Sequence, residues 1–481
     1  MRSPRFFWSF LMVLFLSLGM ACGTDPSNER EDDFNRSIAD GDDDGEGGDL
    51  GGDGESGDQE VPGDQEGDGE VPGDDEAPPG EGAVPGDDET PPGDGEVPVE
   101  GGEVFEVPAS GGAYYARAVK AGEEIWVSYT AVVDVGGETE EKAHLARFGV
   151  DGALVEGPTL IGFDDASRDF HPAIAADENT VYVVWVREST EGQEIRGRSF
   201  DVDDGTARQD EPFRIIIALK DGTQVGTIWK PDLAVMNDGN AVLVAEGLTI
   251  LEPRVLLQRF DRDGMLVLNG MYVFDSSAHG GQYDPAVTVL SDGTIHYSYL
   301  GGEFGAGRVF QGTVAANSDD PGVSPVPAEA QQAVSRSVRF SKGNPSGQAW
   351  MVYPLGFEEG NFMALRSANV VGVAVTQTTS VVGRRSIYGE VAASPTGGAI
   401  AWMSHASAAP TSGRIHFQRF DATSGGNVTG FGTRVNQHTG NEDARWPYGP
   451  SIVWLFGDTY AVFWQERPNN VMTIKGRILE L

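Results

Sequence analysis

The sequence predicts an all-β fold, a seven-bladed β-propeller of four-stranded antiparallel blades over residues 103–481, preceded by a signal peptide and a disordered acidic tether. Three observations predict it. A segment of about 56 residues recurs downstream of residue 103, within the range of repeat-built folds. Each copy carries short apolar runs separated by turn residues, the pattern of hairpins. No stretch of this region carries helical periodicity.

The chain opens with Arg2 and Arg5, an apolar stretch from Phe6 to Leu18, and small residues before Cys22. That is a secretory signal over residues 1–21, too short for a comfortable membrane span. Its end, "LGMAC", resembles the lipobox of bacterial lipoproteins: Leu18 and Ala21 fit, and Gly19 stands where that family usually has Leu. The resemblance implies that Cys22 is acylated and becomes the mature N-terminus. Cleavage by the ordinary signal peptidase is the alternative. By the same family's sorting logic, Gly23 rather than Asp after the Cys implies delivery to the outer membrane. Cys22 is the only Cys in the 481 residues, so an exported chain must hold its fold without an internal disulfide.

Residues 22–102 are Gly, Pro, Asp and Glu in the main, with Val-Pro-Gly-Asp at 61–64, 71–74 and 84–87. A segment with so little to bury and so much like charge is expected to stay disordered and extended. Residues 1–102 hold 29 of the 75 acidic side chains and 4 of the 33 basic ones, which leaves a net charge of −17 for residues 103–481. Acidity in both parts repels phosphate backbones and disfavours nucleic acid as a partner.

The repeat begins with "YYARAVKAGEEIWVSYT" (114–130) and continues with "HPAIAADENTVYVVWVRE" (171–188), "KPDLAVMNDGNAVLVAEG" (230–247) and "DPAVTVLSDGTIHYSYL" (284–300). "VRFSKGNPSGQAWMVYP" (338–354), "YGEVAASPTGGAIAWMS" (388–404) and "YGPSIVWLFGDTYAVFWQE" (448–466) complete it. Aligned on the run after the turn, Tyr129, Trp185, Ala245, Tyr299, Tyr353, Trp402 and Trp464 fall in register. In each copy an apolar run, a polar or Gly-containing turn and a second apolar run spell a hairpin. Third runs follow at 142–152, 194–205, 254–264 and 414–425, and fourth runs at 211–216, 271–276 and 433–438. The last copy ends without a fourth run, while "GEVFEVPAS" (102–110) lacks three predecessors. Residues 103–108 are therefore expected to complete the C-terminal blade, burying Val104 and Phe105 and closing an exposed edge. Over 103–481 the chain resembles the β-propeller lipoproteins of Gram-negative cell envelopes, a resemblance that speaks to architecture and is nearly silent on chemistry.

Propellers usually bind ligands on the loops that lead into each innermost strand. Those loops offer His171, Trp229, Lys230, Tyr283, Asp284, Arg384 and Trp446 as ligand-binding candidates. Aromatic side chains there also serve blade packing, and charged ones a solvated rim. The same loops permit a second reading. Sialidase-like, glycan-processing propellers hold a carboxylate with an arginine cluster and use a Tyr with a Glu and an Asp acid. Arg168, Arg385, Arg445, Tyr388, Glu390 and Asp169 fit those roles, although the Ser-x-Asp-x-Gly-x-x-Trp turn of those families is matched only loosely by "LSDGTIHY" and "MNDGNAVL".

No hydrolase, zincin or P-loop signature is present, and the seven His residues are scattered singly. The Asp-rich turns 200–205 and 260–264 fit tight turns better than Ca2+ loops. The expectation is a monomeric, lipid-anchored envelope protein that binds a protein or glycan partner without chemistry, cofactor or metal, the membrane being reached through its acyl anchor.

Overall fold

The computed structural model describes residues 102–480 apart from 136, 216–226, 249–252, 273–280, 303–307, 319–325, 328–337, 343–347, 358–359, 368–375, 378–383, 407–408, 423–432, 437–448 and 468–470. Cys22, the signal peptide and the tether up to residue 101 lie outside them. The described strands form four-stranded antiparallel sheets, seven of them, in a β-propeller. In the first sheet, Ala113–Ala121, Glu124–Val135, Glu138–Gly149 and Leu154–Leu160 pair in simple succession. The next five sheets repeat that order from the inner strands Arg168–Ala176, Thr227–Val235, Gly281–Val289, Arg339–Phe340 and Arg384–Ser394, and Ser451–Phe456 is the inner strand of the seventh.

The turn between the first two strands of each sheet explains part of the repeat. Asp177 Oδ1 accepts the amides of Asn179 and Thr180, Asp238 Oδ1 that of Asn240, and Asp292 Oδ1 that of Thr294. Gly239 (φ 81°) and Gly293 (φ 83°) take the left-handed position of their turns, which costs a glycine little. Asp261 Oδ1 likewise accepts the amides of Asp263 and Met265, so the Asp-rich segment 260–264 is a turn held by its own backbone. One boundary moves: the fourth strand read at 271–276 already begins at Leu266 and is described to Tyr272, because this turn releases the chain directly into pairing with Pro253–Phe260; residues 273–276 lie outside the described residues.

A sheet must bury its faces against a neighbour. Among the described residues seven apolar clusters do so, each drawn from two sheets adjacent in sequence, with one joining the seventh sheet to the first. The in-register markers are distributed one per cluster. Trp185 packs between the first and second sheets, Trp402 between the fifth and sixth, and Trp464 between the sixth and seventh. Inner strands touch in cyclic order, Ser451–Phe456 returning to Ala113–Ala121.

The N-terminal strand Val104–Glu106 pairs antiparallel with the C-terminal strand Thr473–Glu480, with Phe105 opposite Gly476, and supplies the seventh sheet's outer strand. The amide of Gly102 donates to Ile478 O (3.0 Å) and that of Val107 to Ile474 O (2.9 Å). Glu106 pairs with Lys475, and Arg477 Nε donates to Gly102 O (3.0 Å). Phe105 lies between Phe148 and Phe463, ring centroids 5.2 and 5.8 Å away. Gly476 makes room for it: a Cβ there would come within 2.5 Å of the ring. The buried apolar weight falls on Phe105 and Val107 rather than on Val104, which is 39% exposed, because the outer strand turns Val104 to solvent.

A chain beginning at Gly111 forfeits these ladder bonds, at about 1 kcal/mol net each, and the burial of Phe105 and Val107, at about 1.5–3 kcal/mol for a fully buried side chain. It should melt well below a chain beginning at Gly101, or aggregate through its open edge. Equal melting temperatures in calorimetry would refute this role for the strand.

Candidate functional site

Five inner strands break their ladder at the same repeat position. Register shifts occur between Tyr114 and Arg117, Phe170 and Ala173, Trp229 and Asp232, Tyr283 and Ala286, and Ile387 and Gly389. Within each bulge one residue has a left-handed backbone: Tyr115 (φ 58°), His171 (53°), Lys230 (44°), Asp284 (46°) and Tyr388 (47°). Such conformations cost a non-glycine residue about 1–3 kcal/mol. The bulge also accounts for the Pro that recurs in the repeat. Pro172, Pro231 and Pro285 follow directly, where the interrupted ladder has no use for an N–H.

The five side chains belong to a ring at one mouth of the channel. Tyr115 and His171 meet edge to face at 4.1 Å between centroids, and the amide of Tyr115 donates to Gln465 Oε1 at 2.7 Å. Lys230 Nζ lies 2.8 Å from Asp284 Oδ1. Tyr388 packs against Gly449, where a Cβ would approach its own to 2.5 Å. Burial, reinforced by the charges of Lys230, Arg168 and Arg117, holds His171 well below the ordinary histidine value, so the ring is neutral near pH 7. His171 Nδ1 and Asp284 Oδ2 are buried and make no hydrogen bond among the described residues. Neither atom's desolvation is repaid by a described protein partner.

Two residues farther along the strands lies a charged layer. Arg117 Nη1 donates to Glu390 Oε1, and Arg339 Nε lies 3.9 Å from the same oxygen. Glu390 Oε2 accepts the amide of Ile452 at 3.4 Å. Asp232 takes Lys342 Nζ at 2.7 Å and the amide of Val287 at 2.9 Å. Burial pushes Asp232 upward, but Lys342 and Arg339 outweigh it and hold the carboxyl below its ordinary value. Burial lowers Lys342 and Arg339, and Arg117 lowers Arg339 further. Apart from Glu390, sequence reading passed these residues over. The available signal was a charge two places after the left-handed residue in otherwise apolar strands, "YYARAV", "KPDLAV" and "YGEVAA", and the two charges of "SVRFSK".

Of the sequence candidates, His171, Lys230, Asp284 and Tyr388 stand on the ring, with Trp229 and Tyr283 half-buried one place before two of them. Arg168 pairs with Glu141 (2.7 Å) and Glu188 (3.6 Å), its guanidinium over Phe170. Asp169 is fully buried and points into its own sheet, accepting Trp185 Nε1 at 3.0 Å and the amide of Phe163 at 3.1 Å. Burial pushes it up to about 6, a value suited to a general acid, yet both oxygens are engaged and enclosed. Arg384 and Arg385 lie on the sixth inner strand opposite Ala406 and His405. Arg445 and Trp446 fall outside the described residues.

Two cavities lie toward the opposite, hairpin-turn end. One of about 190 Å3 is lined by Val119, Ala175, Ala234, Thr288 and Lys342. The other, about 730 Å3, runs between the turns of the second and third sheets, where Asp177 and Asp238 are committed to turn amides. The mouth ring, where the left-handed residues gather, is the better candidate.

The raised Asp169 makes a signed prediction. Its contribution to stability is present below the ordinary carboxylate value of 3.8 and is lost as pH rises through about 6. In chemical denaturation from pH 4 to 7, Asp169→Asn should lack that loss, which amounts to about 2–3 kcal/mol at 1.36 kcal/mol per unit. Parallel pH profiles for variant and wild type would refute it.

No family model and no curated protein matches the sequence. Solved structures do. An ulvan lyase bound to a GlcA and Rha3S saccharide has a TM-score of 0.49 at 10% identity, over 77% of this chain and 95% of its own. The β-propeller domain of the Trilobed protease from Pyrococcus furiosus has 0.44 at 10%, over 77% and 94%. Trypanosoma rangeli sialidase with the inhibitor DANA has 0.43 at 10%, over 76% of this chain but only 55% of its own, so the chain spans about half of that protein's length. At such identity the likeness is to the propeller fold and carries nothing about chemistry.

Proposed function

We propose that this chain is an exported, lipid-anchored propeller whose head binds a protein or glycan partner at the mouth ring and performs no chemistry. The observation that carries the reading is the set of five left-handed, non-glycine residues at one repeat position. A glycine relieves that strain at once, and strain kept at one place in the fold marks a site where the side chain is needed. Tyr115, His171, Lys230, Asp284 and Tyr388 offer aromatic faces and paired charges together with two unmet buried polar atoms. Binding is favoured over catalysis because Asp169 is enclosed and Glu390 is engaged by Arg117 and the Ile452 amide. The seven sheets, joined by seven clusters in cyclic succession, are read as the seven blades of one ring. Cys22 is the acylation site, and residues 22–102 let the head search a volume around its outer-membrane anchor.

Screening the full-length protein on protein and glycan arrays should yield a ligand whose affinity falls at least tenfold in Tyr115→Ala and Lys230→Ala, with Arg308→Ala, on an exposed outer position, unchanged. Turnover of a glycan, abolished by Tyr388→Phe, would replace this reading with the glycan-processing one. Cys22→Ser should move the protein from the membrane to the soluble fraction. A wild-type protein that is soluble, with a mature N-terminus other than Cys22, would refute the anchor.

A further inference from the structure

Over the mouth ring and the charged layer beneath it, the described charges do not balance. Lys230 is matched by Asp284 and Lys342 by Asp232, at 2.8 and 2.7 Å, but Arg117 and Arg339 share the one carboxylate of Glu390. Among these seven described groups, four cations face three carboxylates. This excess of one positive charge lies inside a domain whose net charge is −17. The guanidinium N–H groups are also largely unspent. Among the described residues Arg339 donates only to Val338 O, at 2.9 Å, beside its longer approach to Glu390. Arg117 has only its Nη1 bond to Glu390. Both side chains are partly open, 16% and 22% exposed. Lys342, by contrast, is spent on Asp232, Leu233 O and Val287 O.

We infer that the centre of the channel binds a carboxylate of the ligand between the guanidinium groups of Arg117 and Arg339, beside Glu390. The inference rests on the ligand entering through the mouth ring. A planar carboxylate matches the fork of a guanidinium with two parallel hydrogen bonds. It also brings one negative charge, which balances the layer. A phosphate dianion overshoots and is repelled by Glu390, Asp232 and Asp284 in a site poorly screened by water. Above the fork, Asp284 Oδ2 calls for a hydroxyl donor and His171 Nδ1 for a hydroxyl partner on the same molecule. The class defined by both layers is a hydroxylated monocarboxylate, of which a uronic acid is the simplest sugar.

The test uses the full-length protein at fixed ionic strength, with D-glucuronate, D-glucose and inorganic phosphate in isothermal titration. Glucuronate is expected to bind at least tenfold more tightly than glucose or phosphate. Arg117→Met and Arg339→Met should each lose that preference. Arg339→Lys, which keeps the charge without the fork, should lose most of it in a protein that still folds. Glu390→Gln removes the competing carboxylate and should tighten glucuronate binding, a result that a purely structural role for Glu390 does not give. Equal affinities for glucuronate and glucose, no binding of glucuronate, tighter binding of phosphate, or an unchanged preference in the arginine variants each overturn the inference. If an array ligand still depends on Tyr115 and Lys230 in that case, the mouth-ring reading survives alone.

Discussion

The pairing of Val104–Glu106 with Lys475–Arg477 is the interaction on which the other sheets depend. Each sheet buries its faces only because a neighbour stands on either side, so the last sheet must meet the first or two faces are left wet. With one Cys in the chain, covalent closure is unavailable. A strand taken from the opposite end of the domain does the work instead, with Phe105 wedged between Phe148 of the first sheet and Phe463 of the seventh. Two glycines make that wedge possible, since a Cβ at Gly152 or Gly476 would run into the Phe105 ring.

Closure also governs the site. Tyr115, on the first inner strand, receives Gln465 from the seventh sheet, and Arg117 reaches Glu390 on the sixth. Side chains far apart in sequence therefore share one channel only while the ends are joined. The bulges complete the arrangement. A regular strand turns alternate residues inward, whereas a bulge inserts a residue and re-aims its side chain. That is how a ring of Tyr, His, Lys and Asp is presented at one mouth.

Much of this was legible in the sequence. The hairpins are written in Asp177, Asp238, Asp292 and their glycines, and the inter-sheet packing in the aligned Trp and Tyr markers. The Pro after His171, Lys230 and Asp284 announced that something interrupts the ladder. What interrupts it was not legible, because a left-handed φ at a Tyr or Lys runs against the residue's own preference. Asp169 and Arg168 illustrate the other limit. Adjacent in sequence and alternating across a strand, they point to different places, one to Trp185 and the other to Glu141. Reading them as partners overlooked that neighbours on a strand face opposite ways.

The charged layer was the least legible part, for a reason that bears on its use. Arg117, Asp232, Arg339, Lys342 and Glu390 come from four different repeats, and each looks singly like a solvated charge at a strand end. Only the ring brings them within reach, and only then does their sum matter. Burying charges costs free energy unless partners are supplied. Here Asp232 and Lys342 are fully supplied, while two guanidinium groups are left to divide one carboxylate. If stability alone had shaped this layer, a second carboxylate or one arginine fewer would serve it better. The imbalance persists at the one depth that the mouth ring opens onto, where an incoming carboxylate completes the missing pair.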